Sequence, residues 1–273
     1  MYSDLHIHTL FSDGTKSPSY VIRRAAAMGL DLVSVTDHDS VAGLPDAAEE
    51  ARKCNVPFIN GVELSVSDVT EVHILGYGMN TDGEFEKKMK YAASLRETRN
   101  AEIIARLNSL GIGISAEDLN RGKGVKGRMH IARILCEKGI TRGVNEAFDE
   151  YLGKDGKAYV PSMRLSAEQA IDMIVSSGGI AVLAHPSRFR IEGRYYDLLE
   201  KLVSLGLGGI EAFYPTHSKA EVAEYVADAE KYGLIVTGGS DYHGDEHGAP
   251  INAAGAILPQ KSLEALMEKR VIL

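Results

Sequence analysis

Short apolar runs rich in β-branched residues alternate with amphipathic stretches in the first 80 residues and again in the last 110. YSDLHIH (2–8), DLVSVTD (31–37), VPFINGVEL (56–64) and EVHILGYG (71–78) carry the first set of strand patterns. GIAVLAH (179–185), GGIEAFY (208–214) and LIVTGGSD (234–241) carry the second. Near-continuous apolar runs of this length predict buried parallel strands. Most are separated by helix-period stretches, at about 17–28, 41–53, 166–177, 195–205 and 217–232. The first of these has Ser17 as N-cap, Pro18 at the first helical position and Gly29 just past the end. Alternating βα units predict a parallel sheet with outer helices.

The middle of the chain breaks this rhythm. Residues 84–110 form one long amphipathic pattern stopped by Gly111, and SAED (115–118) is a helix start. HIARILCEKG (130–139) and VNEAFDEYLG (144–153) are two more helical pieces, each ended by glycine. No strand signal interrupts them. The expected organisation is an α/β barrel of residues 1–80 plus 160–273 with an all-helical insertion at 81–159.

Composition changes this picture little. The chain has 273 residues, 44% hydrophobic and 25% charged, enough for a core that needs no disulfide staple. The two cysteines, Cys54 and Cys136, share no C-x-x-C motif, which suits a reducing compartment. No leader pattern and no apolar run of membrane-spanning length is read, so a cytoplasmic location is expected. The net charge of −8 argues against non-specific binding to duplex DNA. Residues 121–142 oppose that average, with seven Lys or Arg and one Glu, and make a candidate anion-attracting patch.

The chemistry gathers at the strand patterns. His6 and His8 end the first, His38 follows the second, and His73 begins the fourth. His185 ends the fifth and His243 follows the last, and Asp13, Asp37, Glu63 and Asp241 recur beside them. In a parallel barrel the C-terminal strand ends meet at one rim, where such barrels keep their active sites. His6 and His8, two apart on a strand, face the same way, and Asp4 shares their parity as a support for a ring. So many ionisable groups in one mouth are costly unless cations neutralise them. Imidazole with carboxylate suits zinc, manganese or iron. Nine ligands exceed one tetrahedral centre and predict two or three divalent ions, with Glu63 as a bridge.

DLHIHTLFSDG, TDHDS, GVELS, VHILGY, AHP and SDYHG together resemble the PHP family, the polymerase and histidinol phosphatase domains. The resemblance implies a distorted TIM-like barrel, usually of seven βα units, with a trinuclear metal site that hydrolyses phosphoesters. Carried over, the first metal uses His6, His8, Glu63 and Asp241. The second uses Asp13, His38 and His243, and the third Glu63, His73 and His185. Asp13 stands where some branches have histidine, which bears on metal preference. Asp37 and Asp39, flanking His38, are read as supporting or capping residues.

GRMHIARILCEKG, FDEYLGKDGKAYVP, AHPSRF and GGIEAFYPTHS further resemble the small phosphoesterases of that family. These remove the 3′-phosphate of nucleoside 3′,5′-bisphosphates or digest RNA from its 5′ end, and a sibling branch opens phosphoribosyl cyclic phosphates. Met129 replaces a proline common among them. The resemblance gives the basic insertion a use as a lid, with Arg128, His130, Arg188 and His217 as candidates for gripping substrate phosphates. The expected substrate is a small phosphorylated molecule, a nucleotide or short RNA. The expected nucleophile is a metal-activated water, since no G-x-S-x-G elbow is present. A C–N hydrolase on the same scaffold and a non-catalytic metal-binding domain are the alternatives. His247, in a polar loop, receives no role.

Overall fold

The computed structural model describes residues 2–67, 71–119, 124–161, 163–190, 194–245 and 248–269, the side chains of residues 71, 188 and 190 excepted. Among the described residues, eight strands form one mixed sheet that curls into a nearly closed barrel. They are β1 (Tyr2–Asp4), β2 (Leu32–Val35), β3 (Phe58–Ser67), β4 (Glu71–Tyr77), β5 (Ile180–Leu183), β6 (Gly209–Phe213), β7 (Ile235–Gly238) and β8 (Ala256–Ile257). Their order is β7-β6-β5-β4-β3-β2-β1-β8. Chain beyond β1 and β7 draws the two ends together. Leu5 N–H donates to Gly238 O (3.1 Å), Asp241 N–H to His6 O (2.8 Å) and His8 N–H to Tyr242 O (2.8 Å).

The expectation of an all-parallel sheet is corrected at β4, which runs antiparallel to both β3 and β5, and at β8, antiparallel to β1. The reason is connection length. Only residues 68–70 separate β3 from β4, whereas a parallel crossover needs a dozen or more residues.

The helices follow their local signals. α1 (Pro18–Ala27) opens with Ser17 accepting the Tyr20 N–H at 3.2 Å. After α2 (Leu44–Cys54) comes the long α3 (Glu84–Ser109), then α4 (Ala116–Leu119), α5 (Arg128–Glu137) and α6 (Val144–Ala147). The stretch expected as one helix over 144–153 divides: after α6, Phe148–Leu152 winds into a π-helical turn. Gly153 permits that turn, because its N–H reaches Phe148 O at 2.7 Å and a β-carbon there would lie equally close to that oxygen. α7 (Ala167–Ser176), α8 (Ser187–Arg190), α9 (Tyr195–Ser204), α10 (Lys219–Tyr232) and α11 (Gln260–Glu268) complete the chain. Ser166 and Ser218 form capping boxes with Gln169 and Glu221. No described helix is long and apolar enough to cross a membrane.

The barrel interior is plugged by Leu5, Leu32, Ile59, Leu75, Tyr77, Val182 and Ile235, against which Leu263 and Leu266 of α11 also pack. Larger apolar clusters fill the space between sheet and outer helices. α3, α4, α5 and α6 share a separate cluster built on Ile103, Leu107, Ile131, Leu135 and Leu152. The apolar plug leaves the polar half of the barrel to the opposite rim.

Gly239 shows how tightly that rim is built. A β-carbon there would lie 2.3 Å from His6 Cβ and 2.4 Å from His6 N. Gly178 has positive φ (+80°) but no atom within 4 Å of such a carbon. In the metal-free chain, urea unfolding should show Gly239→Ala costing about 3 kcal/mol and Gly178→Ala about 1 kcal/mol. Equal losses would mean that the His6 contact is not what demands glycine at 239.

Candidate metal centre

Every histidine expected at the strand ends reaches the same mouth. His6 and His8 lie in the extended chain after β1 and are fully buried. His38 follows β2 and bridges in parallel to Glu63, in the middle of β3. His73 stands near the start of β4, and it arrives at this rim only because β4 runs backwards. His185 follows β5, and Asp241 and His243 follow β7. Asp13 comes from the turn after His8.

Glu63 is the hub. Its Oε2 lies 3.2 Å from His6 Nε2, 3.1 Å from His8 Nε2 and 3.0 Å from His38 Nδ1. Its Oε1 lies 2.8 Å from His73 Nδ1 and 3.2 Å from His185 Nε2. Asp241 Oδ1 faces His6 Nε2 (3.3 Å) and His8 Nε2 (3.1 Å), and Asp13 Oδ1 faces His243 Nε2 (3.2 Å). Among the described residues, three sets have donor atoms within 4.8 Å of one another: His6, His8, Glu63 and Asp241; His8, Asp13, His38 and His243; and His38, Glu63 and His73. The first set has the membership expected from the sequence. His8 joins the second, and in the third His38 stands where His185 was expected, although His185 Nε2 lies 3.2 Å from the same Glu63 oxygen that His73 faces.

These donors fit divalent cations. His6 Nε2, His8 Nε2, His38 Nδ1, Asp13 Oδ1 and Glu63 Oε2 are buried atoms that make no hydrogen bond. The surroundings fix which ring nitrogen carries the lone pair. His6 Nδ1–H donates to Glu211 Oε1 at 2.9 Å, and His243 Nδ1–H to Asp241 O at 2.8 Å. Ser12 gives its own proton to Asp37 Oδ1 (2.6 Å), so its oxygen accepts His8 Nδ1–H at 3.4 Å. All three rings therefore turn Nε2 inward, the nitrogen that offers a lone pair to a metal once its proton is displaced.

The charges are coupled. Burial opposes ionisation of Glu63, but the imidazoles of His38, His73 and His6 hold its carboxyl well below the usual range. Asp13 and Asp241 are lowered well below it in the same way, against burial, by their histidine neighbours. Burial opposes charge on His8 too, yet Asp241 and Glu63 lift it to about 10; Glu211, Glu63 and Asp241 likewise raise His6. Burial wins at His38 and lowers it.

Asp39, His185 and Asp241 have φ of +45°, +30° and +53°. Left-handed backbone at three non-glycine residues, each just past a strand, is strain concentrated at the mouth. Buried hydrogen bonds hold it there. Glu211 Oε2 accepts the His185 N–H at 2.8 Å, Tyr214 O–H donates to Asp241 Oδ2 at 2.7 Å, and Asp39 pairs with Arg96 of α3. Asp4 does not support a ring as expected. It accepts the backbone N–H groups of Ser240 (2.9 Å) and Asn252 (2.6 Å), fastening the turn that carries Asp241.

A cavity of about 140 Å³ adjoins the cluster, lined by Asp13, His38 and His73 together with Arg96, Arg128, His130, Phe148 and Arg164. Arg128 lies over the Phe148 ring, 5.6 Å from its centre. His130 accepts the Gly127 N–H at 3.2 Å, and burial pushes it down to about 4, so it is neutral near pH 7. His217 lies outside that lining. Its Nδ1–H donates to Ala212 O (2.8 Å) and its ring packs between Tyr214 and Tyr225. The Arg188 side chain and all of His247 lie outside the described residues.

Glu211, Tyr214, Arg96 and Arg164 were not singled out from the sequence. A charged residue inside the apolar run GGIEAFY was a readable sign for Glu211, since a buried carboxylate needs partners. Arg96 stands among many charged residues of a long helix, and nothing local distinguishes it.

The PHP domain profile matches residues 4–205. The chain is 35% identical over 254 residues to the 3′,5′-nucleoside bisphosphate phosphatase of Chromobacterium violaceum, covering 90% of this chain and 88% of that protein. It is 34% identical to the phosphoribosyl 1,2-cyclic phosphate 1,2-diphosphodiesterase of Eggerthella lenta, covering 89% and 95%. The crystal structure of a protein described as a putative metal-dependent phosphoesterase, from Bifidobacterium adolescentis, superposes with a TM-score of 0.86 at 27% identity, covering 99% and 97%.

With His8 near 10 and His6 raised, both rings are protonated in the metal-free chain at pH 7. Metal ions must displace those protons, so affinity should rise with pH between 6 and 8, with about one or two protons released per chain. Calorimetric titration of Mn²⁺ in buffers of different ionisation enthalpy measures this, and a buffer-independent heat would contradict it. Glu211→Gln should weaken metal binding about 10- to 100-fold with an unchanged circular dichroism spectrum. Wild-type affinity in that variant would remove Glu211 from the site's support.

Proposed function

Because the chain belongs to the PHP domain family of metal-dependent phosphoesterases, we propose that it hydrolyses the 3′-phosphate of nucleoside 3′,5′-bisphosphates or the 5′ end of short RNA. The observation that carries this reading is the shared cavity. Metal-type donors, three guanidinium groups and a neutral imidazole line one space of about 140 Å³. That volume suits a phosphoryl group, and planar guanidinium groups match its oxygens.

In this reading the nine donors, His6, His8, Asp13, His38, Glu63, His73, His185, Asp241 and His243, hold two or three ions of manganese, iron or zinc. When bound, divalent ions supply Lewis acidity, which makes water nucleophilic near neutral pH and offsets charge on phosphate oxygens. The chain's own residues do the rest. Glu211, Ser12 and the Asp241 carbonyl hold the Nδ1 protons of three rings outward. Tyr214 holds a proton against Asp241 Oδ2 and leaves Oδ1 to the cluster. Arg128 and Arg164 orient the phosphate and neutralise charge that develops as the water oxygen bonds to phosphorus and the ester oxygen departs. Residues 81–159 serve as the lid that carries Arg96, Arg128 and His130 to the mouth. His217 acts from beside Tyr214 rather than from the cavity wall. The near-equal similarity to a cyclic-phosphate diesterase supports a second reading, in which the same site opens a cyclic phosphoribosyl ester.

Phosphate release by the Mn²⁺-loaded protein tests both. The substrates are adenosine 3′,5′-bisphosphate, AMP, a cyclic phosphoribosyl ester and a 5′-phosphorylated RNA oligomer. Strong turnover of the bisphosphate is expected, abolished in His8→Ala and reduced about 100-fold in Arg128→Ala. Turnover confined to the cyclic ester would move the protein to the second reading. No turnover of any of the four with metals bound would overturn the proposal.

A further inference from the structure

A second, larger cavity of about 760 Å³ adjoins the first, and Arg96 and Val125 line both. Its volume falls within the range of small-molecule sites. The reaction described above uses none of its interior. Ala93, Asn100, Ala101 and Ile104 lie along one stripe of α3 and form one wall, with Phe11 and Lys126 among the residues around the rest. The lining is mostly apolar, with small alanines and the Phe11 ring. Polar groups accompany it: the Asn100 amide, the Ser40 hydroxyl, the Lys126 ammonium and the Arg96 guanidinium, with the Glu97 carboxylate beside them.

The cavity is also built, not incidental. Val125 N–H donates to Phe11 O at 3.1 Å, and Asn100 Nδ2–H donates to Lys126 O at 3.0 Å. Gly124, at φ +81°, presses so closely on the Phe11 backbone that a β-carbon would lie 2.3 Å from it. These contacts fasten the 124–126 segment to the barrel loop on one side and to α3 on the other. Arg96 itself is fixed by Asp39 and by a hydrogen bond to Ser65 Oγ at 2.8 Å. A ligand spanning both cavities would pass this anchored guanidinium.

We propose that the larger cavity is the nucleoside site: it receives the base and sugar of a substrate whose scissile phosphate lies in the smaller cavity, and Arg96 is the wall they share. A planar heteroaromatic base suits a space between alanines and a phenyl ring, and its polar edge suits the amide of Asn100. Lys126 and Arg96 suit a further phosphate on the same nucleoside. A purely aliphatic ligand would bring no polar group to Asn100, Lys126 or Arg96. This inference rests on the phosphoesterase reading and names the leaving group that the site selects.

Two variants fill the space from α3, Ala93→Trp and Ala101→Trp, the second at an exposed helix position that tolerates bulk. In the Mn²⁺-loaded enzyme, the ratio of kcat/KM for adenosine 3′,5′-bisphosphate to that for glycerol phosphate should fall at least about tenfold in either variant, mainly through KM. Adenosine, which has no phosphate, should bind the wild type by calorimetry and lose that binding in Ala101→Trp. An unchanged ratio in both folded variants, or adenosine binding that survives both, would overturn the nucleoside site. Turnover of glycerol phosphate without preference for the nucleotide would overturn it and leave the phosphoesterase reading standing. Adenosine binding that is lost in Ala101→Trp would support the site even if no ester were hydrolysed, an outcome that would count against the phosphoesterase reading alone.

Discussion

The carboxylate of Glu63 is the point on which this molecule turns. It is almost fully buried in the middle of β3 and is met by nitrogens of five histidines at 2.8–3.2 Å. An isolated buried carboxylate would be too costly to keep ionised. Here the surrounding imidazoles hold it in its charged form. Each of those rings comes from a different strand end, except the pair His6 and His8. The barrel is therefore the device that collects them, and the apolar plug of its other half keeps the polar groups at one rim. The reversed β4, imposed by its short connection, also serves this requirement. A parallel strand would carry His73 to the plugged end, away from Glu63.

Around this hub, buried side chains spend their hydrogen bonds on orientation. Glu211 uses one oxygen on the His6 ring and the other on the His185 backbone. Asp37 holds Ser12 and Thr9, and through Ser12 it fixes the His8 ring. Asp4 ties the two chain regions that close the barrel. Unfavourable φ values at Asp39, His185 and Asp241 persist because these partners over-determine them. These bonds fix the orientation of the rings and turns of the site, the kind of preorganisation that electrostatic stabilisation draws on.

The helical segment contributes the opposite charge. α3 brings Arg96 to Asp39 and Ser65, so the segment is pinned to the barrel at the edge of the mouth. Carboxylate and imidazole donors of the barrel face the cluster, and the helical segment adds the guanidinium groups of Arg96 and Arg128 beside Arg164. The first set suits cations, the second phosphate oxygens. Arg96 and Val125 line both of the cavities beside the cluster.

By itself, the sequence determined what local physics controls. The βα rhythm, the Ser17, Ser166 and Ser218 helix starts, the helical middle and the recurrence of histidine at strand ends are all set by residues close in the chain. The i, i+2 spacing of His6 and His8 places both rings on one side without knowledge of any partner. Tertiary structure decided what depends on distant pairing. Connection length turned β4 around, and the closing of β1 on β7 put Asp241 against His6 and His8. Glu211 could be noticed as a charge in an apolar strand, but only packing made it the partner of His6, 205 positions earlier. Asp4 looked like a support for a ring because parity is local, and it became a backbone clasp because its true neighbours, Ser240 and Asn252, lie at the far end of the chain. Arg96 carried no signal at all. A surface-patterned helix specifies which face is polar, and only docking against the barrel decides which of its charges meets the site.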